Sequence, residues 1–451
     1  MKIKCVLMIV ISLTMFYSCS DEYSATVSHD ENSIALSPEE YISISSDSSS
    51  AITSQEAVDL VNNFCSVNNT RSGATATVVG KKQFVGFVNV KGVKKQIVIP
   101  TYELSLGTNG GYAVVAADSR TPNILVYSEK GNIGALSHND DAEKMLKISE
   151  NVVLSQISRI ELLQDSLRQK TLAKIASLLG KNTVSYIDVK NKISVKGFGE
   201  TRSFCMNPNA NEAWKIVKPM IVTAWDQCYP YNKHLDKAAN PINDRNKGFY
   251  AVGCAGVATA QMVAFYQAIS TANGYPLDWN LILSQKSLYD DSSDEDIVEQ
   301  VSQLMKCVAN GIHTVWDVNS DDGNSNIQKV YDYLNTIGLT FDTGKRFAGY
   351  SMNAARIISS LDQGYPVFIT GVDTESRGSH MWILDGYQMI RQRTNARNQI
   401  MANNTYIHAN FGWEGFADGY YLVDAGTTNL TFQNAYDYSS DLKLYLNVRK
   451  K

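Results

Sequence analysis

Several common signatures of enzymes and binding proteins are missing from this 451-residue sequence. It contains no phosphate-binding P-loop, no His-Glu-x-x-His zinc motif, no Gly-x-Ser-x-Gly nucleophile turn and no glycine-rich dinucleotide turn. None of its seven cysteines forms a Cys-x-x-Cys pair, which argues against zinc-ribbon and thioredoxin-type sites. Basic blocks are also missing and the formal net charge is −4, so nothing indicates a nucleic-acid-binding surface. With only six histidines, the search for a catalytic base is short.

The N-terminal residues have the features of an export signal. The apolar run Cys5–Phe16 follows two lysines and is too short to span a bilayer, which is typical of a signal-peptide core. It ends in Ser18-Cys19, which resembles a bacterial lipoprotein processing site, and the acidic residues after it resemble a surface-export tag. An ordinary secretory signal, with Cys19 incidental, is the alternative. We expect residues 1–19 to be a lipoprotein signal peptide and lipid on Cys19 to anchor the exported protein in the outer membrane, facing the periplasm or the cell surface.

The next part of the chain predicts a tether and a small domain. Residues 20–52 are rich in Ser, Asp and Glu, which predicts a disordered tether. Folding is expected to begin at Thr53, because Thr53-x-x-Glu56 is a capping-box pattern before an apolar face. Strand signals with a hairpin turn at Asn109-Gly110-Gly111, and then a helical period over 141–179, predict an α+β unit without evident chemistry.

A change of character near residue 200 predicts a second domain. Residues 181–204 contain five basic residues and two glycines, which indicates either a plain linker or a cleavage segment. Beyond them aromatic residues become frequent, and all six tryptophans lie at or after Trp214. We therefore divide the folded chain into an α+β domain with its connector at 53–200 and a second domain at 201–451.

Cys254 is the cysteine in the most suggestive setting. It lies in Gly-Cys-Ala-Gly-Val-Ala-Thr-Ala-Gln at 253–261, where the glycine permits a tight turn and the small residues predict a closely packed helix. A cysteine at a helix start lies near the positive end of the helix dipole, which favours the nucleophilic thiolate. A buried structural cysteine is the alternative.

Three further residues complete a candidate catalytic set. His380 follows a short polar loop at the start of an apolar strand, and Asn410 lies 30 residues beyond it. An asparagine could accept a hydrogen bond from the histidine ring and fix its tautomer, and the amide of Gln227 is suited to an oxyanion hole. His380 lies 126 residues after Cys254, and papain-like peptidases place histidine and asparagine roughly 130–150 residues after the cysteine in this order. Taken alone, His380 could equally be a histidine of the core, and Asn410 would more simply be a turn asparagine.

Four segments of the second domain resemble the streptopain family of papain-like cysteine peptidases. They are Trp-Asp-Gln-Cys-Tyr-Pro-Tyr-Asn at 225–232, the Cys254 segment at 253–261, Gln-Gly-Tyr-Pro-Val through His380 to Asp-Gly-Tyr at 363–387, and His-Ala-Asn-Phe-Gly-Trp with Asp-Gly-Tyr-Tyr at 408–421. The segments 111–118 and 122–125 resemble the family's propeptide. One position departs: Phe411 stands where the family usually has tryptophan after the asparagine.

The resemblance implies an α+β fold, in which a papain-like catalytic domain follows a small inhibitory pro-domain. It implies a secreted cysteine endopeptidase made as a zymogen, with Cys254, His380 and Asn410 as the catalytic residues and Gln227 in the oxyanion hole. His408 would then be structural. Protein or peptide substrates, the chain's own pro-domain and a membrane would be its partners, and no metal or other cofactor is needed. Two alternatives remain: a papain-like amidase or acyl transferase, and an inactive peptidase fold that binds at the cell surface.

Overall fold

The computed structural model describes most of the chain beyond the N-terminal 32 residues. The described residues are 33–45, 51–68, 76–90, 92–107, 110–121, 123–137, 140–195, 212–289, 293–343, 353–372, 379–393, 400–426 and 442–451.

The first half of the chain contains six strands and five helices within the described residues. In chain order they are β1 (Ile34–Leu36), α1 (Pro38–Ser45), α2 (Ser54–Asn68), β2 (Thr77–Val90), β3 (Val93–Ser105), β4 (Tyr112–Ala116), β5 (Asn123–Ser128), α3 (Gly134–Ser137), α4 (Asp140–Leu178), α5 (Tyr186–Val189) and β6 (Ile193–Val195).

The second half arranges its strands and helices around one central helix. Its described elements are β7 (Glu212–Val217), α6 (Cys254–Tyr266), β8 (Thr271–Ala272), β9 (Tyr275–Pro276), α7 (Trp279–Ile282), α8 (Glu295–Gly311), β10 (Val315–Trp316), β11 (Gly323–Asn324), α9 (Ile327–Thr336), β12 (Leu339–Thr340), α10 (Ala354–Asp362), β13 (Val367–Val372), β14 (Ser379–Arg393), β15 (Ile400–Asn410), β16 (Gly419–Gly426), β17 (Leu442–Tyr445) and β18 (Arg449–Lys450).

One antiparallel sheet runs through both halves of the protein. Its strand order is β17-β13-β14-β15-β16-β5-β4-β3-β2, and β7 pairs with the far part of β14. The two halves join where β16 pairs with β5, through Tyr420 opposite Tyr127 and Tyr421 opposite Val126. Helix α2 closes this seam, because the Phe64 ring lies 4.9 Å from that of Tyr127 and 6.5 Å from that of Tyr420. A shared apolar core therefore connects the two halves.

Helix α6 is the centre of the second half. Every residue from Ala255 to Ala264 is buried, so this stretch of the helix has no solvent-exposed face. A helix without an exposed polar face belongs inside a domain. It packs between the sheet strand β14 and the amphipathic helices α8 and α9. This burial holds the helix start, and with it Cys254, in a fixed place.

Several predictions from the sequence are confirmed in the first half. Helix α4 covers almost the same residues as the predicted helix at 141–179, and β3 and β4 form the predicted hairpin. The capping box is present: the backbone N–H of Glu56 donates to Thr53 Oγ1, and the backbone N–H of Thr53 donates to the Glu56 carboxylate. The α+β fold class is confirmed as well.

The prediction of a disordered tether at 20–52 is wrong for Ile34–Ser45. Strand β1 pairs in parallel with β6, so that Ile34 lies opposite Ile193, and α1 packs on α4. Leu36 and Ile44 are fully buried there. The few apolar residues of a polar segment find partners far along the chain, which a local reading of composition misses. The predicted connector is correspondingly shorter, because α5 and β6 are ordered parts of the first domain.

No helix in the described part of the chain combines the length and the apolar character that a membrane span requires. The predicted signal peptide, and Lys196 and Arg202 of the connector, lie outside the described residues.

Candidate active site

Cys254 is the first residue of α6, and the turn before it requires a glycine. Gly253 has φ +83°, a conformation that residues with a side chain rarely adopt. A Cβ atom at this position would lie 2.1 Å from the carbonyl oxygen of Gly323, so the backbone of β11 occupies that space. The thiol is partly exposed at the helix N-terminus, where the helix dipole favours an anion.

Backbone hydrogen bonds hold the residues before this turn. The N–H of Ala251 donates to the carbonyl of Asp321 at 2.9 Å, and the indole of Trp316 donates to the carbonyl of Ala251 at 2.9 Å. The N–H of Val252 donates to the carbonyl of Gln227 at 2.9 Å. This last bond brings the backbone of Gln227 beside the nucleophile turn.

His380 lies next to Cys254, at the start of β14. The Cys254 Sγ is 3.8 Å from the carbonyl oxygen of Ser379, the residue that precedes the histidine. His380 Nε2 lies 3.2 Å from the main-chain carbonyl of Phe411. Because a carbonyl only accepts, this contact assigns the ring proton to Nε2 and leaves Nδ1 as the basic nitrogen. The rings of Trp382 and Trp413 flank the imidazole at 5.8 and 6.3 Å.

Asn410 lies in the site, with partners other than the one expected. Its Nδ2 donates to the carbonyl of Thr223 at 2.9 Å, and its Oδ1 accepts from Gln261 Nε2 at 3.0 Å and from the N–H of Gly412 at 3.2 Å. The expected bond from the His380 ring is not among its hydrogen bonds. The carbonyl of the next residue, Phe411, occupies that role for Nε2.

Gln227 is a partly exposed residue beside the nucleophile turn. Its N–H donates to Asp226 Oδ1 at 2.7 Å, and its side-chain amide makes no hydrogen bond with another described residue. Burial raises the pKa of the Asp226 carboxyl, although its ion pair with Arg245 opposes the shift. Because it has no hydrogen-bond partner among the described residues, the side-chain amide of Gln227 is available to a ligand near Cys254.

His408 belongs to a buried cluster beneath the site. Its Nδ1 lies 2.6 Å from Asp385 Oδ1, while Asp385 Oδ2 accepts from the N–H of Ile221. Burial lowers the pKa of His408, but the charge of Asp385 and the hydrogen bond to it outweigh burial, so the net shift is upward. Burial raises the pKa of Asp418 to about 6, and the Asp418 carboxylate accepts from the N–H of Phe411. These contacts agree with the structural role expected of His408.

Two features of the site were not predicted from the sequence. The Phe411 carbonyl is a main-chain atom, which carries no residue-type signal. Gln261 ends the segment that carries Cys254, but only its packing reveals its hydrogen bonds. No group of three or more His, Cys, Asp or Glu side chains suited to a metal ion is present among the described residues.

The structure describes three other cysteines. Cys65 and Cys228 are buried and Cys307 is partly buried, and no disulfide joins any of them or Cys254 within the described part of the chain. Burial raises the pKa of Cys228 to about 12, which keeps this thiol protonated and unreactive.

Comparisons with known proteins match both halves of the chain. Residues 225–421 match the model of the Peptidase C10 family, and residues 49–153 match that of the Spi protease inhibitor. Streptopain from Streptococcus pyogenes serotype M1 is 22% identical over 361 residues, which cover 70% of this chain and 72% of streptopain. The streptopain of serotype M28 strain MGAS6180 has the same identity and coverage. The solved structure of active wild-type Prevotella intermedia interpain A cysteine protease covers 51% of this chain and 94% of its own, at 20% identity and a TM-score of 0.36.

Proposed function

Since the chain is streptopain-like, with a cysteine peptidase domain of the C10 family after a Spi-inhibitor-like domain, we propose that it is a cysteine endopeptidase made as a zymogen. Cys254 is the nucleophile of this proposal and His380 its base. Gln227 contributes to the oxyanion hole. Asn410 belongs to the site, where its contacts favour a supporting role.

The proposed reaction is acyl transfer through a thioester. His380 Nδ1 takes the thiol proton, and the Cys254 thiolate attacks the peptide carbonyl carbon. The carbonyl oxygen becomes an oxyanion, to which the Gln227 amide and the N–H of Cys254 donate. The tetrahedral intermediate collapses, the C–N bond breaks, and His380 returns the proton to the leaving amine. Water then attacks the thioester carbonyl, releases the carboxylic acid and restores the thiol.

The observation that carries this proposal is the meeting of three segments at one helix start. The thiol lies at the N-terminus of α6, the Cys254 Sγ is 3.8 Å from the carbonyl of Ser379 beside His380, and the Gln227 carbonyl accepts from the N–H of Val252. The Phe411 carbonyl supports the ring nitrogen that faces away from the reaction and stabilises the imidazolium ion.

We also propose that residues 53–200 inhibit the enzyme until the connector is cut. The match of 49–153 to a protease inhibitor and the pairing of β5 with β16 support this role. Lys130, in the loop after β5, donates from Nζ to the carbonyl of Glu414 in the loop that follows Phe411. Cleavage is expected between Lys181 and Arg202, at Lys196 or Arg202 if the activating protease prefers basic residues.

For location, we propose export as a lipoprotein, with the lipid on Cys19. The short apolar run before Ser18-Cys19 supports this proposal. A lipid at that position would hold the precursor at a membrane, and cleavage in the connector would remove the covalent link between this anchor and the catalytic domain.

The catalytic assignment is tested by substitution at Cys254 and His380. Cys254→Ala is expected to abolish casein cleavage while leaving the fold intact, since a small residue suits the start of this helix. His380→Ala is expected to lose nearly as much activity, because residues that act as one catalytic unit are non-additive. Casein hydrolysis by the matured proteins measures both.

His408→Ala provides the control for these substitutions. It removes a partly buried histidine that is bonded to the buried Asp385, so it is expected to lower the melting temperature and to leave residual activity in the folded fraction. A folded but inactive His408 variant, together with a fully active His380 variant, would show that the base is wrongly assigned.

A further inference from the structure

We propose that Gln261 is a positioning residue, whose buried side-chain amide holds the Gln227 segment and the Phe411 turn in register with the nucleophile helix. This inference rests on the proposed peptidase function, because the groups that it positions are those assigned there. Gln261 itself is buried within α6.

The acceptor side of the Gln261 amide binds the segment that leads to Gln227. Its Oε1 accepts from the backbone N–H of Trp225 at 3.2 Å and from Thr223 Oγ1 at 3.1 Å. Trp225 precedes Gln227 by two residues, and the Gln227 carbonyl then accepts from Val252 before the nucleophile turn. The segment that carries the oxyanion-hole glutamine is therefore held by Gln261 of α6 and by the backbone of Val252 before the nucleophile turn.

The donor side of the same amide binds the turn beside His380. Gln261 Nε2 donates to Asn410 Oδ1 at 3.0 Å, and that oxygen also accepts from the N–H of Gly412 at 3.2 Å. Phe411 lies between these two residues, so its carbonyl is aimed at His380 Nε2 by the turn that Asn410 closes. The Gln261 amide is thus connected to His380 through the Asn410 side chain and the Phe411 carbonyl.

Backbone atoms fix the orientation of both amides. The Trp225 N–H can only donate, so Oε1 of Gln261 faces it and Nε2 faces Asn410. The Thr223 carbonyl can only accept, so Nδ2 of Asn410 faces it and Oδ1 faces Gln261. Gln261 and Asn410 are 1% and 3% exposed, so water does not replace these partners. The pair forms one arrangement, without an equivalent flipped alternative.

The position of Gln261 on the same helix as Cys254 explains how its amide can affect the catalytic geometry. Gln261 lies seven residues after Cys254, which is about two helical turns and on the same side of α6. A buried helix is a rigid connection between them. Loss of the amide would leave Cys254 in place while Gln227 and the Phe411 turn drift relative to it, and a 1 Å misplacement of catalytic groups costs on the order of 10²-fold in rate.

Gln261→Met tests the proposal, because it keeps the length of the side chain and removes both hydrogen-bonding ends. The full chain is matured by a trace of unmodified enzyme, which is then removed by its affinity tag. Peptide hydrolysis gives kcat and KM per active site, and mass spectrometry of the Cys254 peptide gives the rate of alkylation by iodoacetamide against pH. Thr259→Val is the matched control, because Thr259 is equally buried on α6 and its hydroxyl has no hydrogen-bond partner among the described residues.

The expected result is a kcat on the order of 10- to 100-fold lower for Gln261→Met, with KM nearly unchanged, because only the transition-state geometry suffers. The midpoint of Cys254 alkylation is expected at higher pH, since the imidazolium ion loses its well-placed carbonyl. Thr259→Val should change neither quantity. Unchanged kcat per active site and an unchanged alkylation profile in Gln261→Met would overturn the proposal, even if the variant melted at a lower temperature.

Gln261→Glu keeps the proposal testable if the methionine variant does not fold. It retains the acceptor contacts to Thr223 and Trp225 and, when ionised, loses the donor to Asn410. A lower kcat and a shifted alkylation midpoint are expected, and an unchanged kcat with an unchanged alkylation profile would overturn the proposal. Should the unmodified protein cleave no peptide although Cys254 is alkylated readily, the proposed function fails, while the alkylation profiles still decide the role of Gln261.

Discussion

His408 and Asp418 are partly buried acid–base groups whose pKa values both lie above their ordinary ranges. A raised pKa means that the folded protein favours the protonated form of each group. For Asp418 this costs stability as pH rises from about 4 to about 6, and the cost is complete above that range. For His408 the stabilisation is present below pH 6.5 and is lost as pH rises through its folded pKa. Both groups therefore stabilise the fold more in mild acid than in mild alkali.

Asp418→Asn is expected to raise the melting temperature at pH 8 and to change it little at pH 4.5. The amide oxygen can still accept from the N–H of Phe411, but it avoids a buried negative charge. A shift from 3.8 to about 6 corresponds to at most about 3 kcal/mol at pH 8. Thermal unfolding in the Cys254→Ala background, where autolysis is prevented, measures the difference. A change in melting temperature on Asp418→Asn that is lower at pH 8 than at pH 4.5 would contradict this prediction.

The sequence allowed some of the candidate site residues and their contacts to be predicted and others not. Cys254 and His380 could be found because glycine, small residues and an apolar strand surround them in a recognisable order. The partner of His380 could not be found, because a main-chain carbonyl has no residue type. The orientation of Asn410 depends on side-chain torsions and on Gln261, which belongs to another segment.

Among the elements, those with strong local patterns were predictable and those built on distant pairing were not. Helix α4 and the β3–β4 hairpin follow from periodicity and from turn residues. The pairing of β1 with β6 joins segments at opposite ends of the first domain, and that of β5 with β16 joins two domains. No local pattern specifies such partners, since the same strand residues would suit many neighbours.

The loop after β5 predicts a specific inhibitory contact at Lys130. Its Nζ donates to the Glu414 carbonyl and lies 5.5 Å from the ring centre of Phe416, so the first domain contacts the loop that follows Phe411. Lys130→Met removes the charge and keeps the stem. A charge-assisted hydrogen bond contributes about 1.5–3 kcal/mol, so the pro-domain should bind roughly 10- to 100-fold more weakly. The expected result is faster maturation and basal activity of the precursor.

Lys147→Met is the control for Lys130, because Lys147 is a half-exposed lysine of α4 that pairs with Glu150 within the pro-domain. It should mature at the rate of the unmodified precursor. The contact at Glu414 is irrelevant to inhibition if the two variants mature at equal rates and show equal basal activity.

On the scale of the whole molecule, the two domains share one sheet and one apolar core. The Ser128 hydroxyl donates to the Asp418 carbonyl at 2.5 Å beside the β5–β16 pairing, and Asn404 of β15 donates to Asn123 at 2.8 Å. Cutting the connector leaves all of these contacts in place. Release of the pro-domain therefore requires dilution or digestion of the cut fragment, in addition to the cut itself.

Attachment to a membrane is the second proposal at this scale. Cys19→Ala removes the residue that would carry the lipid, so the protein is expected to move from the membrane fraction to the soluble fraction of the producing cell. Immunoblots of the two fractions measure this shift, and Cys5→Ala, within the proposed signal peptide, is the control. Equal membrane association of the Cys19 variant and its parent would exclude lipid anchoring through Cys19.

The most direct test of the account is the rate of casein hydrolysis by the uncut precursor and by the fragment that begins near Ser203. The precursor is expected to show no activity and the fragment to be active, and modification of Cys254 by iodoacetamide is expected to abolish the activity of the fragment. An uncut precursor as active as the fragment, or a fragment that still cleaves casein after Cys254 is modified, would contradict it.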